Sequence, residues 1–146
     1  MHRVLIVGCG GIAPAHIEGY LHSGADVTVT HLADQNLQRA HALIDRYVRE
    51  RQSLKGIVVV SDIRHALTDF DRQMLEYCQF RGLRCVLLLS KSDKLNRGPA
   101  MEVRRKVLAE IAELGVPTTA VVFSAQGKSG VDEARAAVAA LLDGGE

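Results

Sequence analysis

Tryptophan is absent from this chain, and Phe, Trp and Tyr together supply only 4% of it. A core without large aromatics must be assembled from Val, Leu, Ile and Ala, which suits helices packed on a parallel sheet of aliphatic strands. Cysteine is scarce as well: Cys9, Cys78 and Cys85 form no C-x-x-C pair and have no zinc-like spacing to any of the six histidines. No metal site is expected, and the three thiols read as buried and free in a reducing compartment. No apolar run approaches the roughly 18 residues needed to span a bilayer. The aliphatic run from Val4 to Val7 is too short for a signal-peptide core and is followed at once by glycine. A cytoplasmic protein with no membrane partner is the expectation. Charge of one sign is lacking too. Lys and Arg number 18 against 17 Asp and Glu, and the densest basic run, Arg104-Arg105-Lys106, falls inside a helical pattern as a solvated face. Nucleic acid is therefore not an expected partner.

What is present is an ordinary globular composition, 47% hydrophobic and 24% charged over 146 residues, enough for a single core. The elements alternate. Val4 to Val7 reads as a buried strand, followed by a helix from Gly11 to about His22 and a β-branched strand from Asp26 to Leu32. Leu37, Ala40, Leu43, Ile44, Tyr47 and Val48 recur at helical spacing over residues 36–52. Ile57 to Val60 is a third strand. Leu67, Phe70, Met74 and Cys78 mark a helix entered through Thr68 or Asp69 as cap. Cys85 to Leu89 is strand four, Met101 to Leu114 a helix closed by Gly115 and Pro117, Thr119 to Phe123 strand five, and Val131 to Leu142 a final helix. Strict alternation predicts a three-layer α/β fold with a five-stranded parallel sheet and right-handed crossovers. One domain over residues 1–146 is expected, with residues 143–146 as a tail.

Two places carry chemistry. Gly8-Cys9-Gly10-Gly11-Ile12-Ala13 follows a strand and opens a helix in the G-x-G-x-x-A pattern. Its first glycine permits the tight turn, the second lets backbone approach a pyrophosphate, and the small third residue allows helix and strand to pack closely. Asp34 lies 21 residues after Ala13, at the end of strand two, where an acidic side chain can accept from a ribose hydroxyl. Gly8, Gly10, Gly11, Ile12, Ala13 and Asp34 are thus candidate dinucleotide-binding residues. The alternative is a tight strand-to-helix turn with Asp34 capping the next helix. The stretch VLIVGCGGIAPAHIEGY, followed by ADQNLQRA, resembles the N-terminus of the Gfo/Idh/MocA family of NAD(P)-dependent oxidoreductases, with His16 at a position where that family often carries histidine. The resemblance ends near residue 40. Neither the second half of the nucleotide fold nor a substrate domain is visible, so hydride transfer is not expected.

Residues 41–142 resemble a different family. The segments LIDRYVRERQSLKGIVVVSDIRHALTDFDRQMLEYC, LLLSKSDKLNRG and FSAQGKSGVDE are similar, in order, to the C-terminal part of the EngB family of ribosome-biogenesis GTPases. Ser90-Lys91-Ser92-Asp93 stands where that family carries its guanine-reading T/N-K-x-D motif. The resemblance implies a Lys91 stem over the base, Asp93 accepting from the base's N1 and exocyclic amine, and a backbone amide of Ser124 or Ala125 near O6. Read without the resemblance, Lys91 and Asp93 are a polar loop after strand four.

The two resemblances together imply a sheet of order 2-1-3-4-5, flavodoxin-like or Rossmann-like, with a junction inside a helix within residues 39–43. No G-x-x-x-x-G-K-[ST] sequence occurs, and the GTPase family's D-x-P-G segment is missing too. The expectation is accordingly an engineered fold chimera: no catalytic residues, no enzyme activity, no required cofactor, and at most weak residual binding of NAD(P), GDP or GTP. Two alternatives stand beside it. One is a nucleotide-binding module, using either the glycine loop or the guanine loop. The other is a natural interaction domain from a truncated GTPase. A monomer is expected, with some risk of self-association through strand two as a Thr- and Val-rich edge.

Overall fold

The computed structural model describes residues 54–143 throughout and, by backbone alone, two strands, β1 (His2–Val7) and β2 (Val27–Leu32). The helices expected over residues 11–22 and 36–52, and the tail after residue 143, lie outside the described residues. The remaining elements are β3 (Leu54–Asp62), α1 (Asp69–Arg81), β4 (Arg84–Ser90), α2 (Arg97–Glu113), β5 (Thr118–Val122) and α3 (Val131–Leu142). The fold is α/β. β3, β4 and β5 run parallel side by side, with Val59 beside Leu87 and Leu87 beside Ala120.

Period-two alternation along these strands splits their aliphatic side chains between two faces. Ile57, Val59, Cys85, Leu87, Leu89 and Ala120 join Met74, Leu75 and Cys78 of α1 and Val107 and Ile111 of α2. Val58, Val86, Leu88 and Val121 turn the other way, onto Ala134, Val138 and Leu141 of α3. Consecutive residues Ile57, Val58 and Val59 all have 0% exposure, so β3 is covered on both faces. A strand buried on both sides reads as a continuous apolar run, which is why it carries no alternation in sequence. Cys78 and Cys85 are buried and free, as expected. Hydrogen bonding between the two thiols, together with burial, raises the Cys85 pKa and keeps it protonated.

Local chemistry explains where elements start. Thr68 caps α1: its hydroxyl accepts from the Asp71 amide at 3.3 Å, and Asp71 Oδ2 accepts from the Thr68 amide at 2.9 Å. The same Oδ2 accepts from Ser61 Oγ at 2.8 Å, so the buried Asp71 is satisfied and α1 is tied to the end of β3. β3 extends beyond the expected Ile57 to Val60 at both ends and includes Gly56. A Cβ there would stand 2.5 Å from Leu141 Cδ1, so glycine is what lets α3 approach the strand. Helix α2 starts at Arg97, ahead of the expected Met101. Gly98 and Pro99 fall in its first turn, where the missing proline N–H leaves no helical bond unmade. Arg104 Nε of α2 donates to the Ala120 carbonyl at 2.8 Å and fastens the helix to β5.

Gly130, the residue before α3, adopts φ +74°, and a Cβ there would stand 2.2 Å from the Val122 carbonyl oxygen. Gly130→Ala should therefore destabilise the fold by about 2 kcal/mol or more, combining the left-handed backbone penalty with a backbone clash. A urea denaturation midpoint that falls accordingly is the expected outcome; an unchanged midpoint would show that the turn relaxes freely.

Candidate functional site

Parallel strands deliver their C-terminal ends to one edge of the sheet: β3 at Asp62, β4 at Ser90 and β5 at Val122. Ligands of open α/β sheets bind at such an edge, because the connecting loops there are free of sheet pairing. Ser90 Oγ donates to the Ser61 carbonyl at 3.1 Å and holds the ends of β3 and β4 together. Beyond it Lys91 takes a left-handed backbone, φ 58° and ψ 35°, which turns the chain into the short 3-10 helix Ser92–Lys94. The Ser92 amide donates to the Phe123 carbonyl at 3.1 Å, so this loop is stitched to the chain leaving β5.

After β5, Ser124 and Ser129 pair through both backbone bonds, at 3.0 and 3.1 Å, and close a tight turn over residues 125–128. Ser124 is fully buried. Its Oγ donates to Asp93 Oδ1 at 2.7 Å and accepts from the Gly127 amide at 2.9 Å. A Cβ on Gly127 would lie 3.1 Å from that oxygen, so the small residue leaves the hydroxyl room. The Ser124 hydrogen bond holds the Asp93 carboxyl below its ordinary range, with Lys94 adding to the effect against a smaller opposing contribution from burial. Asp93 is thus an ionised acceptor whose orientation is set by a side chain 31 residues away. A fixed carboxylate of this kind can take two N–H donors from one edge of a planar heterocycle.

On the β3 side, Asp62 Oδ1 accepts from Arg64 Nε at 3.1 Å and from the Arg64 amide at 3.0 Å, while Oδ2 accepts from Arg64 Nη2 at 2.8 Å. Lys91 Nζ stands 3.2 Å from the same Oδ2. The Arg64 side chain, foremost, then its backbone amide and Lys91 hold the Asp62 carboxyl well below the usual carboxylate range, against burial. Asp62 raises the Arg64 pKa in turn.

Of the residues expected from sequence, Lys91, Asp93, Ser124 and Ala125 share this edge. Asp93 and Ser124 are in direct contact, and Lys91 extends to Asp62. The Ser124 amide is engaged by the Ser129 carbonyl. Gly8, Gly10, Gly11, Ile12, Ala13 and Asp34 lie outside the described residues. Asp62, Arg64 and Gly127 were not anticipated; an acidic residue two positions after the aliphatic run from Ile57 to Val60 was the available signal for Asp62. Among the described residues no group of three or more His, Cys, Asp or Glu could hold a metal, and no helix is long and apolar enough to cross a membrane.

Ser124→Ala should move the Asp93 pKa upward toward the ordinary aspartate value of about 3.9. A carboxyl lowered by folding contributes stability that is present above the unfolded pKa and is lost as pH falls through the folded one. The variant should therefore lose less stability than the parent on acidification below about pH 4. Carboxyl-carbon NMR titration of Asp93 checks this, and an unmoved pKa would remove Ser124 as its cause.

Comparison with known proteins supports NAD(P)-binding likeness and EngB likeness, without singling out the Gfo/Idh/MocA oxidoreductases. A family model described as "Putative NAD(P)-binding" matches residues 1–137. The probable GTP-binding protein EngB of Xanthomonas euvesicatoria pv. vesicatoria is 50% identical over 111 residues, covering 74% of this chain and 53% of that protein. Its counterpart in Stenotrophomonas maltophilia is 48% identical over 102 residues, covering 69% and 51%. The chain thus spans about half the length of the curated relatives it matches. Among solved structures, translation elongation factor SelB of Methanococcus maripaludis superposes with a TM-score of 0.73 at 10% identity, over 99% of this chain and 35% of that one. Cdc11 of Saccharomyces cerevisiae gives 0.59 at 15% identity, over 96% and 74%. Identities that low speak to the α/β fold alone. The EngB identity corrects one expectation: the forecast that the chain is no enzyme does not stand against relatives, named as probable GTP-binding proteins, at 48 to 50% identity. That forecast weighed the absent phosphate-binding and D-x-P-G sequences above the extent of the likeness. Matched by that family model from residue 1 to residue 137, the chain belongs to the family described as "Putative NAD(P)-binding".

Proposed function

We propose that the chain is a nucleotide-binding module that reads guanine at the C-terminal edge of its sheet. One observation carries this: the buried Ser124 hydroxyl fixes the ionised Asp93 carboxylate at 2.7 Å, at the end of strands β4 and β5. In this arrangement Asp93 accepts from the N1–H and the exocyclic amine of guanine, the Lys91 stem covers the base, and the Ala125 amide meets O6. Adenine offers an acceptor at N1 and no amine at C2, the two positions that Asp93 reads in guanine, so it leaves Asp93 unpaired. The names of the EngB relatives, GTP-binding proteins, support the same ligand.

The module is a single domain over residues 1–146, its five-stranded parallel sheet in the order 2-1-3-4-5. Support comes from the backbone register of β1, where Ile6 lies beside His31 of β2 on one side and Val58 of β3 on the other. A composite ancestry, residues 1–40 from a dehydrogenase-like βαβ unit and 41–142 from a GTPase, belongs to this proposal. It is favoured by G-x-G-x-x-A in the first segment beside EngB identity elsewhere. A second ligand reading follows from the family match: NAD(P) on Gly8, Gly10, Gly11, Ile12 and Ala13, with Asp34 toward the ribose.

Calorimetric titration should show GDP binding that Asp93→Asn weakens about tenfold or more, the scale of one buried polar group left mispaired. ADP should not compete. Equal affinity of the parent and the Asp93→Asn chain for GDP would sink the guanine site. Phosphate release from GTP, assayed in the same preparation, tests whether the GTPase character of the relatives extends to this chain.

A further inference from the structure

The loop that would read guanine is anchored from a neighbouring strand. We propose that Asp62 is a positioning residue for nucleotide binding: paired with Arg64, it holds the Lys91 ammonium so that the Lys91 stem is laid out over the base before a ligand arrives. This rests on the guanine reading above.

Three features point to it. First, Lys91 departs from β4 in a left-handed conformation, uncommon for a residue with a Cβ, and its ammonium is found 3.2 Å from Asp62 Oδ2, on the β3 side of the edge. Asp93 and Ser124 lie on the β5 side. The Lys91 chain is thereby drawn along the edge from β4 toward β3. Second, the anchor is itself fixed. Two Arg64 side-chain nitrogens and the Arg64 amide occupy both carboxylate oxygens at 2.8 to 3.1 Å, in the forked geometry that restricts a carboxylate in both position and rotation. Third, strand pairing sets the distance. Asp62 lies directly beside Ser90 in the β3–β4 register, so Lys91 is one residue beyond the partner of its own anchor.

A lysine side chain loses substantial rotamer freedom when it is ordered against a ligand. With the head already held, that ordering is complete in the free protein, and binding is correspondingly tighter. The Asp62–Lys91 contact is half-exposed, with 23% and 42% of the two side chains open to solvent. Its effect on affinity should accordingly be of the modest size typical of such pairs.

Asp62→Asn keeps an acceptor for the Arg64 amide while removing the charge that holds Lys91. It should weaken GDP binding about fivefold in calorimetry. In a Lys91→Met background the same change should cause no further loss, since a residue that acts only through Lys91 has nothing left to position. Carbon relaxation of the Lys91 ε-methylene should show restricted motion in the unaltered, ligand-free chain relative to the exposed Lys128, and release of that restriction in Asp62→Asn. Unchanged affinity in Asp62→Asn, or losses that add fully to those of Lys91→Met, would overturn the proposal. Should Asp62→Asn fail to fold, the relaxation comparison in the unaltered protein still decides: Lys91 as mobile as Lys128 excludes the anchor. Absence of GDP binding by the unaltered chain would instead remove the guanine reading, and the positioning role with it, a result distinct from both.

Discussion

Burial of β3 and β4 on both faces is the constraint from which the rest of the structure follows. Ile57, Val58 and Val59 are sealed in sequence order, as are Val86 to Leu89, so helices must cover both sides and every connection must cross from one end of the sheet to the other. Parallel strands with such crossovers present all their C-terminal ends to one edge. The only polar groups carried into the interior are those that make this edge: Ser61, Asp71, Ser90, Ser92 and Ser124 are the buried polar residues among those described. Each lies at or just past a strand end, or at the start of α1.

The arrangement follows from the cost of burying polar groups, which are kept only where they find partners. The Ser61 hydroxyl donates a hydrogen bond to Asp71, that of Ser90 to the Ser61 carbonyl, and that of Ser124 to Asp93. The first two join β3, β4 and α1, and the third reaches from β5 to the loop after β4. The same hydrogen bonds that make the edge tolerable to an aliphatic core also orient a carboxylate outward. Stability and site geometry are therefore not separable at Ser124, whereas Asp62 and Arg64, which are more exposed, bear on the site with little claim on the core.

Much of this was legible in sequence, and the reasons are local. The aliphatic runs ending at Val60 and Leu89 announced strands, Thr68 was one of the two expected caps of the helix that follows β3, and Val131 to Leu142 matched its helix end to end. Gly56 and Pro99 lay outside the expected elements, and the tertiary context uses both: one for a close helix approach, the other in a first turn. Lys91, Asp93, Ser124 and Ala125 were found through family likeness rather than through spacing. Nothing local links Asp93 to Ser124, which only strand pairing brings together. The Asp62–Lys91 contact is of the same non-local kind. The left-handed backbone at Lys91 has no residue signature either, since neither glycine nor asparagine stands there.

An amide NMR titration with GDP and then with NAD tests the central claim most directly. GDP should shift the amides of Lys91, Asp93, Ser124 and Ala125, the residues gathered where β4 and β5 end. A spectrum in which GDP leaves those four amides unmoved, while NAD shifts residues 8–13 and Asp34, would contradict a guanine-reading edge and assign the ligand to the glycine loop instead.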